Sequence, residues 1–123
     1  MIAAAQLTVL LADDNADFAE TLAELLAEDG HRVMVARDGE EAVRLFRDTP
    51  ADIVLLDVTM PRMSGVVALD EIRGFAPGVP AILLTAYESE ALSERVRDSG
   101  FEVMLKPVDY PRLASRLGEL VAP

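Results

Sequence analysis

Short runs rich in Val, Ile and Leu alternate with longer amphipathic segments along the whole chain, and this rhythm constrains the fold more than any single motif does. The apolar runs are Leu7 to Ala12, Arg32 to Ala36, Asp52 to Leu56, Ala81 to Leu84 and Phe101 to Leu105. After the first of them Phe18, Leu22, Leu25 and Leu26 recur at helical spacing, Glu20, Glu24 and Glu28 line another face, and Gly30 supplies a left-handed stop. Asp38 with Glu41 three residues on predicts a capping box that opens a helix through about Arg47. A third helix is expected from Gly65 to Arg73, a fourth from Ser89 to about Asp98 closed by Gly100, and a fifth opened by Asp109 and Pro111. Strands that alternate with helices and are apolar on both faces predict a parallel sheet covered on both sides, with right-handed crossovers. The expected fold class is a doubly wound three-layer α/β/α domain, with residues 1–123 read as one domain because no linker or low-complexity tract interrupts the pattern.

Charge narrows the function. With 22 acidic against 11 basic side chains the chain carries a formal charge of -11, which repels phosphate backbones and anionic lipid heads. Direct nucleic-acid or membrane-surface binding is therefore not expected; cations and basic protein surfaces are. The absence of cysteine removes disulfides, thiolate metal ligands and thiol nucleophiles, which fits a cytoplasmic location. The glycines form neither a GxGxxG nor a GxxxxGK[ST] arrangement, so no nucleotide-cradling loop is expected.

In a doubly wound sheet, ligands bind outside the carboxyl ends of the strands. The first strand ends in Asp13 and Asp14, the third in Asp57, the fourth in Thr85 and the fifth in Lys106. Any one of these reads most simply as a cap or turn residue. Their joint placement at one edge does not, since capping does not call for a lysine after the fifth strand. Clustered carboxylates repel one another unless a cation joins them, and a site without His or Cys suits a hard ion such as Mg2+ that keeps a phosphoryl oxygen among its ligands. Lys106 and the Thr85 hydroxyl would share the phosphoryl oxygens while one carboxylate attacks in line.

The ordered segments VLLADDN (9–15), GHRVMVARDGEEAV (30–43), DIVLLDVTMPRMSG (52–65), AILLTA (81–86) and MLKPV (104–108) resemble the receiver domain of two-component response regulators. The resemblance implies a flavodoxin-like sheet of order 2-1-3-4-5, and a phosphorylation-dependent signalling role rather than an enzyme acting on other substrates. It implies that Asp57 accepts a phosphoryl group from phosphohistidine on a sensor histidine kinase or phosphotransfer protein. Asp14, Asp57 and the backbone carbonyl of Thr59 would then hold Mg2+, with Asp13 acting directly or through water, and Thr85 and Lys106 would bind the phosphoryl group. It further implies that a changed surface around the fourth helix, fifth strand and fifth helix meets a downstream protein target, with homodimerisation left open. Ala86 matches the family's small residue beside the phosphoryl group, and Pro107 its Lys-Pro bond, commonly cis.

Two features depart from the family pattern. Val103 stands where an aromatic switch residue is common, and the segment from Gly100 to Lys106 looks one residue short, so Phe101 or Tyr87 is a candidate to take over the aromatic role. By the resemblance, Tyr87 and Thr59 occupy the family positions that flank the water attacking the acyl phosphate, and a bulky Tyr87 is expected to slow that attack. His31, the only histidine, reads as structural, and Met60 and Met63 as seats for the loop after Asp57. No output domain is expected before the chain ends at Pro123. Two alternatives stand beside this reading. A degenerate receiver would bind partners without phosphorylation; a haloacid-dehalogenase-type Mg2+ phosphatase would need an acidic residue where Thr59 stands.

Overall fold

The computed structural model describes residues 6–87, 89–99 and 101–121. Its elements are β1 (Thr8–Ala12), α1 (Ala16–Glu28), β2 (Arg32–Ala36), α2 (Gly39–Asp48), β3 (Ile53–Asp57), α3 (Gly65–Phe75), β4 (Ala81–Thr85), α4 (Glu90–Ser99), β5 (Glu102–Leu105) and α5 (Tyr110–Leu120). All neighbouring strands run parallel, in the order β2-β1-β3-β4-β5. The reversal of winding at β1 puts β1 and β3 side by side, which brings the residues after Ala12 next to the end of β3.

Alternation within each strand divides the core in two. Leu10, Ala12, Val54, Leu56 and Leu83 face Phe46 of α2, Leu69 and Ile72 of α3 and Leu92 of α4. Val9, Leu11, Leu55, Ile82 and Leu84 face Leu22 and Leu26 of α1 and Leu113 and Leu117 of α5. Every residue of β3 and β4 is buried, the burial expected of central parallel strands with helices on both faces. Each large side chain so enclosed contributes about 1.5–3 kcal/mol relative to exposure.

The expected elements are present, with shifted edges. Asp57 and Thr85 are the last residues of β3 and β4 rather than the first beyond them. Asp52 precedes β3 and its carboxylate accepts the Thr8 N–H at 2.7 Å. α3 continues past Arg73 because the Phe75 ring finds Phe46 at 5.8 Å and the Arg47 guanidinium at 5.3 Å. Asp38 caps α2 through the Glu41 N–H, but the Glu41 side chain reaches back to the Arg37 N–H, one residue beyond a true capping box. Gly30, at φ +93°, follows α1 as the left-handed stop. Gly100, the expected stop of the fourth helix, lies outside the described residues.

Candidate functional site

Asp13 follows β1, between the ends of β2 and β3. It is 1% exposed, and its Oδ1 accepts the Asn15 N–H at 2.9 Å. Asn15 in turn caps α1 by accepting the Phe18 N–H at 3.0 Å. The turn from strand to helix is thus fastened to the Asp13 carboxylate. Asp57, 7% exposed, closes β3, and its Oδ1 accepts the Thr59 N–H at 3.3 Å. The loop after it folds back tightly enough that a Cβ on Gly65 would lie 2.2 Å from the Asp57 carbonyl oxygen. Only glycine fits there, which gives Gly65 a steric reason beyond turn punctuation. Gly39, at the start of α2, meets the Met63 carbonyl just as closely, so this loop is also seated on α2. Met60 is buried beneath it.

The Lys106 ammonium lies 2.7 Å from Asp13 Oδ2 and 3.6 Å from Asp57 Oδ2. Oxygens of Asp13, Asp14 and Asp57 lie within 4.8 Å of one another. Burial holds the Asp57 carboxyl above the ordinary carboxylate range, and the Asp13 charge adds to this; Lys106 and the Thr59 amide oppose it, and Asp14 contributes in the raising direction. A cation nearby would favour the charged form, so the cluster is electrostatically prepared for one. The Lys106-Pro107 bond is cis, as the resemblance implies.

Thr85 reaches the same edge and is 4% exposed, but its hydroxyl is turned onto its own chain, donating to the Tyr87 carbonyl at 2.9 Å and accepting the Tyr87 N–H at 3.1 Å. Thr59 sits exposed beside Asp57. Of the two candidate replacements for the missing aromatic, Phe101 is a core residue at 4% exposure, whereas Tyr87 is 79% exposed. His31 lies away from the site, its Nδ1 accepting the Leu7 N–H at 3.1 Å. One neighbour of the site is visible only in three dimensions: the Phe18 ring, whose centroid is 4.5 Å from Lys106 Nζ.

A doubly wound sheet with three carboxylates and a lysine gathered at its carboxyl edge has the form of a receiver domain. Residues 9–118 match the family of response regulator receiver domains, and the chain belongs to it. It is 42% identical over 105 residues to a response regulator receiver protein of Anaeromyxobacter sp. (strain Fw109-5), covering 85% of this chain and 44% of that one. It is 33% identical over 118 residues to the transcriptional regulatory protein ZraR of Klebsiella oxytoca, covering 95% of this chain and 27% of ZraR. The chain therefore spans less than half the length of these relatives. Among solved structures, that of the CheX-CheY-BeF3-Mg+2 complex from Borrelia burgdorferi matches with a TM-score of 0.85 and 29% identity, over 94% of this chain and 90% of that one. No helix among the described residues is long and apolar enough to cross a membrane.

Proposed function

We propose that the chain is a phosphorylation-dependent signalling receiver that takes a phosphoryl group onto Asp57 from phosphohistidine of a sensor histidine kinase or phosphotransfer protein. The observation that carries this reading is the buried Asp57 carboxylate held beside Asp13, Asp14 and the Lys106 ammonium at one strand edge. A carboxylate oxygen of Asp57 forms the new O–P bond as the P–N bond breaks, and the imidazole leaves with the bonding electrons. Lys106 neutralises charge on the phosphoryl oxygens. Thr85 joins it once its hydroxyl leaves the Tyr87 backbone.

The donor set is all oxygen and dominated by carboxylates, the chemistry that suits Mg2+, and Asp13, Asp14 and Asp57 with the Thr59 carbonyl would hold it. When bound, the ion supplies charge neutralisation at the carboxylates and the phosphoryl oxygens. The solved CheY neighbour is a complex with Mg+2 and BeF3, which supports bringing this chemistry to the present site.

The output is a changed surface around α4, β5 and α5. There Val103 lines a groove of about 420 Å³ with Leu92 and Val96, so the face is shaped without the usual aromatic. We place the docking of a downstream protein on this face; that the solved CheY neighbour is in complex with CheX supports a protein partner. The relevant chemistry is confined to the chain's own aspartate, with no turnover of an external substrate.

Intact-mass measurement after incubation with Mg2+ and acetyl phosphate tests the proposal. One phosphate on the wild type and none on Asp57→Asn is the expected result, with the adduct lost in alkali. A wild type that gains nothing would favour the degenerate receiver instead.

A further inference from the structure

We propose that Phe18 is a positioning residue for this transfer, its ring face holding the Lys106 ammonium between Asp13 and Asp57. The inference rests on the phosphoacceptor reading of Asp57 and adds a residue to it. An ammonium has three N–H donors. Three partners surround this one, Asp13 Oδ2 at 2.7 Å, Asp57 Oδ2 at 3.6 Å and the Phe18 ring at 4.5 Å from Nζ to centroid. The Lys106 side chain is only 22% exposed, so little water competes for the charge and the ring's negative face becomes a real electrostatic partner.

The three partners differ in what the reaction does to them. Asp57 becomes an acyl phosphate, and Asp13 shares its charge with the metal site. The ring has no charge to change, so it is the constant wall against which the ammonium can pass from carboxylate to phosphoryl oxygen. Its place is set by the same residue that holds the lysine. Asp13 Oδ1 accepts the Asn15 N–H, Asn15 Oδ1 accepts the Phe18 N–H, and Asp13 Oδ2 accepts from Lys106. One carboxylate thereby registers both the cation and the ring. The chain uses arginine at every other basic position and keeps its single lysine here. A compact ammonium suits this three-sided seat, whereas a planar guanidinium does not.

The test compares wild type, Phe18→Leu and Phe18→Tyr. Leucine keeps an apolar side chain in the partly buried position against the α1–α5 core but removes the π face. The rate of phosphate gain from acetyl phosphate, followed by intact mass at saturating Mg2+, should fall about two- to fivefold in Phe18→Leu and return to near the wild-type value in Phe18→Tyr. Because the chain has one lysine, protein labelled with 13C at lysine Cε gives a single resonance for this side chain. Its protons should be shifted upfield by the ring in wild type and Phe18→Tyr, and not in Phe18→Leu. Equal phosphorylation rates in a Phe18→Leu protein that has lost the ring shift would overturn the proposal, as would a slow Phe18→Tyr with the shift retained. A wild type that gains no phosphate at all would instead overturn the phosphoacceptor reading beneath it, a result distinct from equal rates.

Discussion

At Asp57 the proposed function comes with a cost in stability. Burial and the Asp13 charge disfavour its ionised form, so without a bound cation the charge at this position works against folding. Asparagine keeps the shape and removes the charge. In EDTA near neutral pH, Asp57→Asn should unfold at a higher urea concentration than the wild type. Added Mg2+ should narrow that gap, because the intact acidic cluster gains more from binding an ion that favours the native state. A lower midpoint for Asp57→Asn in EDTA would contradict this account of the site. At the same scale, the sequence made Asp13, Asp57, Thr85 and Lys106 legible because strand ends on a doubly wound sheet must share an edge. It did not reveal that the Thr85 hydroxyl is turned onto Tyr87, nor that Phe18 faces Lys106. A phenylalanine at helical spacing reads as core, and nothing local tells which ring in α1 will reach an ammonium 88 residues further along the chain.

Among the elements, the strands were the most legible, since β3 and β4 are buried on both faces and have to be continuously apolar. Contacts between distant elements were not. The Tyr110 hydroxyl, at the start of α5, lies 3.1 Å from the Leu25 carbonyl and 2.6 Å from the Asp29 carboxylate at the end of α1, tying together segments some eighty residues apart. Burial pushes the Tyr110 hydroxyl well above its ordinary range, and the bond to Asp29 and the nearby acidic charges add to the shift. A raised value means the folded state holds this proton more tightly, so the contribution is complete below the ordinary tyrosine value of about 10 and is lost as pH climbs beyond it. Tyr110→Phe should cost about 1 kcal/mol by urea denaturation at neutral pH and should flatten the alkaline decline in stability. An unchanged alkaline decline would show that another group governs it. α3 offers a second check. A Cβ at Gly65 would lie 2.2 Å from backbone oxygen, whereas one at Gly74 meets nothing within 4 Å. Gly65→Ala should therefore destabilise by about 1–3 kcal/mol, and Gly74→Ala should stabilise by about 0.5–1 kcal/mol. Comparable effects at the two positions would refute the close approach of the loop to Asp57.

For the whole molecule, the formal charge of -11 takes on a different meaning once the site is placed. Three of the 22 acidic groups form the cluster, and others, such as Glu20, Glu24 and Glu28, are exposed on the outer face of α1. The excess charge therefore bears on solubility and partner choice more than on the chemistry. The fold could be read from the sequence because the alternation of strand and helix runs through nearly the entire chain, and the doubly wound sheet then dictates where a site must be. Which side chains complete that site depends on packing across the sheet, which alternation does not encode. Asp57, and not Asp13 or Asp14, is proposed to take the phosphoryl group. Borohydride reduction of the phosphorylated protein converts an aspartyl phosphate to homoserine, and tandem mass spectrometry of the digest reads the position. Homoserine at residue 57 alone is the predicted result; homoserine at residue 13 or 14, or at none, would contradict the account.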